Sequence, residues 1–211
     1  HLPLLLADLR AWPYKLDLNI VDGGSKDLTV SVTELLGYKV INSLEQNRGL
    51  QLKIGASKSK GDWLLFLHAD CRLDKRWVEV LLEIIKKTKS KKFAWYFNFK
   101  VMERRFQFRV LEKAVAFRSH FLQRPYGDQG LLIHKSLYTF TGGFSSIELM
   151  EDLDFIERLT KITSLKYIGL PLISNERKWI HTNIIKRAII NARLRKKWKK
   201  GYSTKQISKE Y

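Results

Sequence analysis

The chain has 211 residues, with 39 Lys/Arg against 21 Asp/Glu and a formal net charge of +18. That length suits one domain with at most an appendage, and it buries enough apolar surface to fold without a disulfide or metal staple. The 45% apolar fraction and lone Cys71 exclude a disordered chain, an intramolecular disulfide framework and a multi-cysteine zinc site, and no run of about 18 apolar residues offers a transmembrane helix.

Residues 3–11 read as the end of an amphipathic helix (Leu4, Leu5, Leu6, Leu9), which Trp12-Pro13 breaks. Residues 16–21 alternate and are β-rich, so a strand is predicted there, ending in the turn cluster Asp22-Gly23-Gly24-Ser25-Lys26-Asp27. A helix over 28–36 stops at Gly37, a short strand covers 38–41, and a helix over 48–59 closes before Gly61. The apolar run 63–67 predicts a buried central strand, which ends in His68-Ala69-Asp70. A helix follows over 75–87. The aromatic stripe Trp95, Phe97, Phe99 marks a strand over 92–101 and packs in the sheet rather than on substrate. A helix over 106–122, a strand over 131–134, a helix over 151–160 and a strand over 165–168 complete the series. Strands alternating with helices predict an α/β fold with a mostly parallel, Rossmann-like central sheet flanked by helices.

The charge is uneven. Residues 176–211 carry 12 Lys/Arg and 2 Glu. The predicted division is therefore a domain over 1–175 and a basic helical extension over 176–211, packed on or beside it. Ile184, Ile185, Ala188, Ile189, Ile190, Ala192 and Leu194 recur there at helical spacing between cations. Three readings fit: a solvated helix with one apolar face on the domain, an interfacial helix on an anionic membrane, and a nucleic-acid contact. No finger, RNP-type motif or recognition helix supports the third, so nucleic acid is not the expected partner. A lone thiol and no legible signal peptide make the cytoplasm the expected location, with peripheral contact at the inner face of the membrane.

In open α/β sheets ligands bind beyond the carboxyl ends of the strands. Two predicted strands deliver carboxylates there, Asp22 directly and Asp70 through His68-Ala69. Such groups hydrogen-bond a nucleoside or hold a hard divalent cation against phosphate. They equally well cap the turns that follow. His120, His134 and His181 show no metal-ligand spacing, and Cys71 has no paired His motif.

The ordered segments Val21-Asp22-Gly23-Gly24-Ser25-Lys26-Asp27, Arg48-Gly49-Leu50-Gln51, the run 61–70 ending in His68-Ala69-Asp70, Tyr126-Gly127-Asp128-Gln129-Gly130, Gly142-Gly143-Phe144 and Met150-Glu151-Asp152 resemble a family 2 glycosyltransferase with the GT-A fold, of a bacterial subgroup. The resemblance covers residues 2 to 200. It implies an inverting, hexosyl-type transfer from a nucleotide-diphosphate sugar to an acceptor hydroxyl, by single displacement. Asp22 then faces the nucleobase. Asp70 is the last carboxylate of the DXD-type metal motif for Mg²⁺ or Mn²⁺, and His68 stands in place of its first Asp. Asp152 is the catalytic base, with Glu151 beside it. Arg48 and Gln51, at a helix N-terminus, line the donor site, and Lys53 stands where the subgroup often has Asn. Gly127, Asp128 and Gln129 orient donor sugar or acceptor. Arg177-Lys178-Trp179 matches a late RW element, with Arg177 on the diphosphate and Trp179 over the donor. The basic extension is expected to hold the enzyme on an anionic membrane, where a lipid-linked acceptor would lie, or to serve the anionic donor. The family's first strand precedes the helix at Pro3. The sequence starts at His1, so it reads as cut from a longer chain; were the strand absent from the natural chain too, an edge of the nucleotide pocket would be open. Two other classes fit parts of the pattern: a non-catalytic sugar-nucleotide or glycan-binding member, and a polyanion-binding protein.

Overall fold

The computed structural model describes residues 1–103, 105–175 and 184–208, and only the backbone of residues 184, 185 and 187. Its elements run α1 (Leu2–Leu9), β1 (Ile20–Asp22), α2 (Thr29–Leu35), β2 (Val40–Asn42), α3 (Arg48–Lys58), β3 (Trp63–Phe66), β4 (Cys71–Leu73), α4 (Trp77–Lys86), β5 (Ala94–Val101), α5 (Phe106–Phe121), β6 (Leu131–His134), α6 (Lys135–Phe140), α7 (Glu151–Leu159), β7 (Leu165–Ser174), α8 (Ile184–Lys199) and α9 (Thr204–Ser208). Short 3₁₀ turns cover Thr88–Lys92 and Gly127–Gln129.

The two-residue period of the strands builds three layers. Leu64, Ala94, Tyr96, Leu131 and Ile133 face one way, into a core shared with Ala56 of α3 and with Phe155, Ile156 and Leu159 of α7. Their neighbours Leu65, Trp95, Phe97 and Leu132 face the other way, toward Leu5 and Leu9 of α1 and Trp77, Leu81 and Ile84 of α4. The inner strands β5 and β6 are buried on both sides, which is why their sequences are mostly apolar. Asp8 anchors α1. Its carboxylate takes a forked pair from Arg72 at 2.7 and 2.8 Å and accepts from the Leu73 amide at 3.0 Å. Trp12 stacks on Trp77 with ring centroids 5.3 Å apart.

Five strands form one sheet in the order β3-β6-β5-β7-β4, while β1 and β2 pair separately. The α/β class stands, but the expectation of a mostly parallel sheet is corrected. Among the described residues only β1–β2 and β5–β7 are parallel; β3–β6, β5–β6 and β4–β7 are antiparallel. A strand buried on both faces carries no mark of its direction, and a helix returns the chain in either sense. The strand predicted over 16–21 shortens to three residues, because β1 finds its ladder only at Ile20, Val21 and Asp22 against β2. β7 runs past the predicted stop at 168. Gly169, at φ +92°, lets the chain bulge, so Tyr167 opposes Tyr96 while Pro171 opposes Asn98.

The described part of the basic extension lies against the domain. Leu194 of α8 and Ile207 of α9 are buried. Lys199 pairs with Glu157 of α7 at 3.0 Å, and the Ser208 hydroxyl donates to Glu148 at 2.9 Å. No described helix is long and apolar enough to cross a membrane.

Candidate active site

The alternation that points Leu64 and Phe66 toward α3 and α7 carries one step further to His68. The Arg48 guanidinium donates to His68 Nε2. Arginine has no acceptor, so His68 Nε2 is the accepting atom of this contact. Arg48 opens α3, whose N-cap Asn47 accepts from the Leu50 amide at 2.9 Å. The next residue is glycine by necessity. A Cβ at Gly49 would collide with the Ser145 carbonyl and lie 2.8 Å from that of Ile147. The first turn of α3 is thereby pressed against the loop that leads into α7.

Helix α7 starts from Met150, held in the left-handed region at φ +68°. That turn aims Glu151 and Asp152 inward. Glu151 is 1% exposed, and its Oε1 lies 3.0 Å from Arg48 Nε, off the N–H direction, so an ion pair forms without a hydrogen bond. Burial pushes the Glu151 carboxyl up to about 7; Arg48 pulls it down and the neighbouring Asp152 adds to the rise. Asp152 Oδ2 accepts from the Gly127 amide at 2.8 Å, and Oδ1 from the Leu153 amide at 2.7 Å. A Cβ on Gly127 would lie 2.9 Å from His68 Nε2 and 3.3 Å from Asp152 Oδ2, and would strike Arg48. Four separate motifs thus meet at one backbone position.

Two spaces adjoin this point, and Arg48 lines both. A cleft of about 500 Å³ is bounded by Asp22, Gly23, Ser25, Gln51 and Ala69. Beneath it, His68, Tyr126, Gly127, Phe144 and Asp152 enclose a cavity of about 30 Å³, room for one water. In the cleft, Asp22 serves its own turn: Oδ2 accepts from the Gly24 and Ser25 amides at 2.8 Å each, and Oδ1 from the Ser25 hydroxyl. Slight burial works against the charge, but the bonds from Ser25 and Gly24 hold the carboxyl below its ordinary range. Gln51 Nε2 donates to the Val21 carbonyl at 3.3 Å and fixes the end of β1.

Among the described residues no three or more His, Cys, Asp and Glu side chains gather as a metal cage. Asp70, the carboxylate expected to hold a cation, is half-buried and follows Ala69, which lines the cleft; a hard cation that arrives with a diphosphate needs one or two carboxylates and completes its shell from phosphate and water. His68 fits less well, since its Nε2 already accepts from Arg48. Cys71 is buried, and burial first, then the Asp70 charge, push its thiol up to about 12; it is no nucleophile.

Of the remaining expected residues, Gln129 is corrected. It is 0% exposed, its amide donates to the Phe97 carbonyl at 3.1 Å, and its oxygen accepts from Ser119 at 2.7 Å and Arg118 at 3.2 Å. It ties the Gly127–Gln129 turn to β5 and α5. Asp128 counters burial at Arg118, whose guanidinium is pulled below its ordinary value on balance. Arg177 and Trp179 lie outside the described residues. Sequence reasoning missed two arginines. Arg118 stacks on the Tyr126 ring at 3.9 Å. Arg158 pairs with Asp154 at 2.7 Å and donates to the carbonyls of Thr141 at 2.6 Å and Gly143 at 2.8 Å, binding the Gly142-Gly143-Phe144 turn to α7. The Asp154–Arg158 spacing of four was the available signal for the second; the first had none.

Residues 2–147 match the model of glycosyl transferase family 2. The chain belongs to that family. A search of curated proteins finds no match. Among solved structures, S. aureus TarS 1–349 superposes with a TM-score of 0.63 at 13% identity, over 83% of this chain and 56% of that one. TarS 1–349 in complex with UDP-GlcNAc gives 0.65 at 13% identity, over 86% and 56%, and its complex with UDP gives 0.65 at 13%, over 83% and 56%. At that identity the likeness establishes the GT-A fold that the family 2 chain shares with them. The chain spans just over half the length of TarS 1–349. The family match ends at residue 147, so Glu151 and Asp152 lie beyond it.

Proposed function

We propose that the protein is an inverting glycosyltransferase that moves a sugar from a nucleotide-diphosphate donor to an acceptor hydroxyl. One observation carries the reading: Arg48, His68, Gly127 and Asp152, from four motifs, converge within contact distance, and Arg48 also lines the cleft that holds Asp22 and Gln51. Asp152 is the base. The Gly127 amide holds its Oδ2, and the carboxylate keeps lone pairs for the acceptor proton. As that proton leaves, the acceptor oxygen bonds to the anomeric carbon, the bond to the diphosphate oxygen breaks, and the diphosphate departs with the electron pair. Inversion at carbon follows from the single displacement. Arg48, at the start of α3, supplies positive charge to the diphosphate, and the turn at Asp22 abuts the nucleoside. A divalent cation held by Asp70 would add further neutralisation of the leaving group. A cytoplasmic, membrane-peripheral location and a lipid-linked acceptor complete the reading.

The test is release of nucleotide from UDP-GlcNAc, the ligand of the TarS complex, and from other UDP-, GDP- and dTDP-sugars, with Mg²⁺ or Mn²⁺. Asp152→Asn should lower kcat by about 10²-fold or more while donor affinity holds. NMR of the product should show the anomeric configuration inverted. Full activity in Asp152→Asn removes the base assignment. Donor binding without turnover under all conditions makes the protein a sugar-nucleotide-binding module.

A further inference from the structure

Helix α5 carries an apolar stripe on the side away from the core. Phe106 is 82% exposed, Val110 50%, Phe117 58% and Phe121 69%, and exposed Ala114 lies between them. At 100° per residue these five fall within an arc of about 80°. Phe108, Val115 and Ser119, on the far side, are buried. The same helix therefore has an apolar face for the domain and a second one that the described residues leave uncovered. The single acid of α5, Glu112, is turned from the stripe: it accepts from the Val101 amide at 2.8 Å and pairs with Arg109 at 2.7 Å. Exposed Lys113 and His120 border the stripe, and exposed Arg105 precedes it.

We infer that this stripe seats the protein on an anionic lipid surface. Aromatic side chains in line, Lys113 at the border with Arg105 (paired with Glu103 at 3.5 Å) ahead of it, and a stripe without carboxylates are features of a helix lying in a bilayer interface. The net charge of +18 adds attraction to anionic headgroups. The location is also apt. α5 leads through Leu122 to Pro125 and Tyr126 into Gly127, and its Arg118 stacks on Tyr126, so a seated α5 brings the candidate active site close to the headgroups. The inference assigns the contact to α5 and not to α8, whose Leu194 is already buried. It stands apart from the donor chemistry.

The experiment is flotation of the full chain with vesicles of phosphatidylcholine alone or mixed with phosphatidylglycerol, beside the double variant Phe117→Ser/Phe121→Ser and the charge variant Arg193→Glu/Lys196→Glu on α8. The wild type should float with the anionic vesicles, the double variant should lose about tenfold or more in partition at unchanged Tm, and the α8 variant should keep most of its binding. A wild type that stays unbound at low salt overturns the inference. So does a double variant that floats like the wild type, which would assign binding to the basic residues alone. A wild-type dimer that the double variant splits, without vesicle binding, assigns the stripe to a protein partner instead. Vesicle binding without nucleotide-sugar turnover would keep this inference and remove the transfer reading.

Discussion

Gly127 has no side chain because the space is taken. Its neighbours at that point are Arg48, His68 Nε2 and Asp152 Oδ2, so a methyl group displaces the guanidinium or the proposed base. Gly127→Ala is expected to cut nucleotide-sugar turnover by about 10–10², with a small change in Tm, as read from kcat and a melting curve on one preparation. Glu151 makes a separate prediction, of pH dependence. Its native carboxyl titrates near 7, above the ordinary 4.5. The native state then keeps a proton that the unfolded chain has released, so this group removes stability as pH rises from about 4.5 through 7. Glu151→Gln carries no such proton. Its stability relative to wild type should be near level in acid and should improve through that window, in paired denaturation curves across pH. A constant offset at every pH would show that Glu151 acts only by packing.

At the scale of elements, α7 and the Gly142-Gly143-Phe144 turn form one unit. Arg158 bridges Asp154, the Thr141 and Gly143 carbonyls and, at 3.3 Å, the Ser145 hydroxyl. Phe144 packs on Phe155 with centroids 4.5 Å apart and on Phe66 at 5.0 Å. Arg158→Ala leaves two carbonyls without their donor and the half-buried Asp154 with the Ser145 hydroxyl at 2.7 Å but without its cation, and should cost about 2–3 kcal/mol in urea unfolding, with turnover falling as α7 loosens. Much of this level was legible in the sequence. The bounds of β6 and the start of α5 need no change, and the period of two places His68 on the α3–α7 face. What escaped depends on partners distant in sequence. Strand direction leaves no trace in an apolar run, and β4 is three residues that pair only because β7 passes beside them. Gln129 reads as a polar residue between two glycines, and only Phe97, Ser119 and Arg118 around it show that its amide belongs to the core.

Across the whole molecule the excess of +18 acts on encounter as well as on fold. The proposed nucleotide-diphosphate donor is an anion, and the proposed donor cleft has Arg48 at its wall; the excess of positive charge would steer such a donor toward the protein. Salt shortens the reach of that field, from about 10 Å at 0.1 M to about 3 Å at 1 M. Donor kcat/KM is therefore expected to fall several-fold over that range while kcat holds, because the reacting groups are set by short contacts such as Gly127 to Asp152 at 2.8 Å. Inhibition by an uncharged nucleoside should not change, since it gains nothing from the field. Tm should rise over the same range as the self-repulsion of the cations is screened. Steady-state kinetics with donor and nucleoside in parallel, and a melting curve at each salt concentration, separate these effects. If kcat falls together with kcat/KM, the salt is acting on the Arg48–Glu151 pair within the site, and the excess charge serves some other surface than the donor cleft.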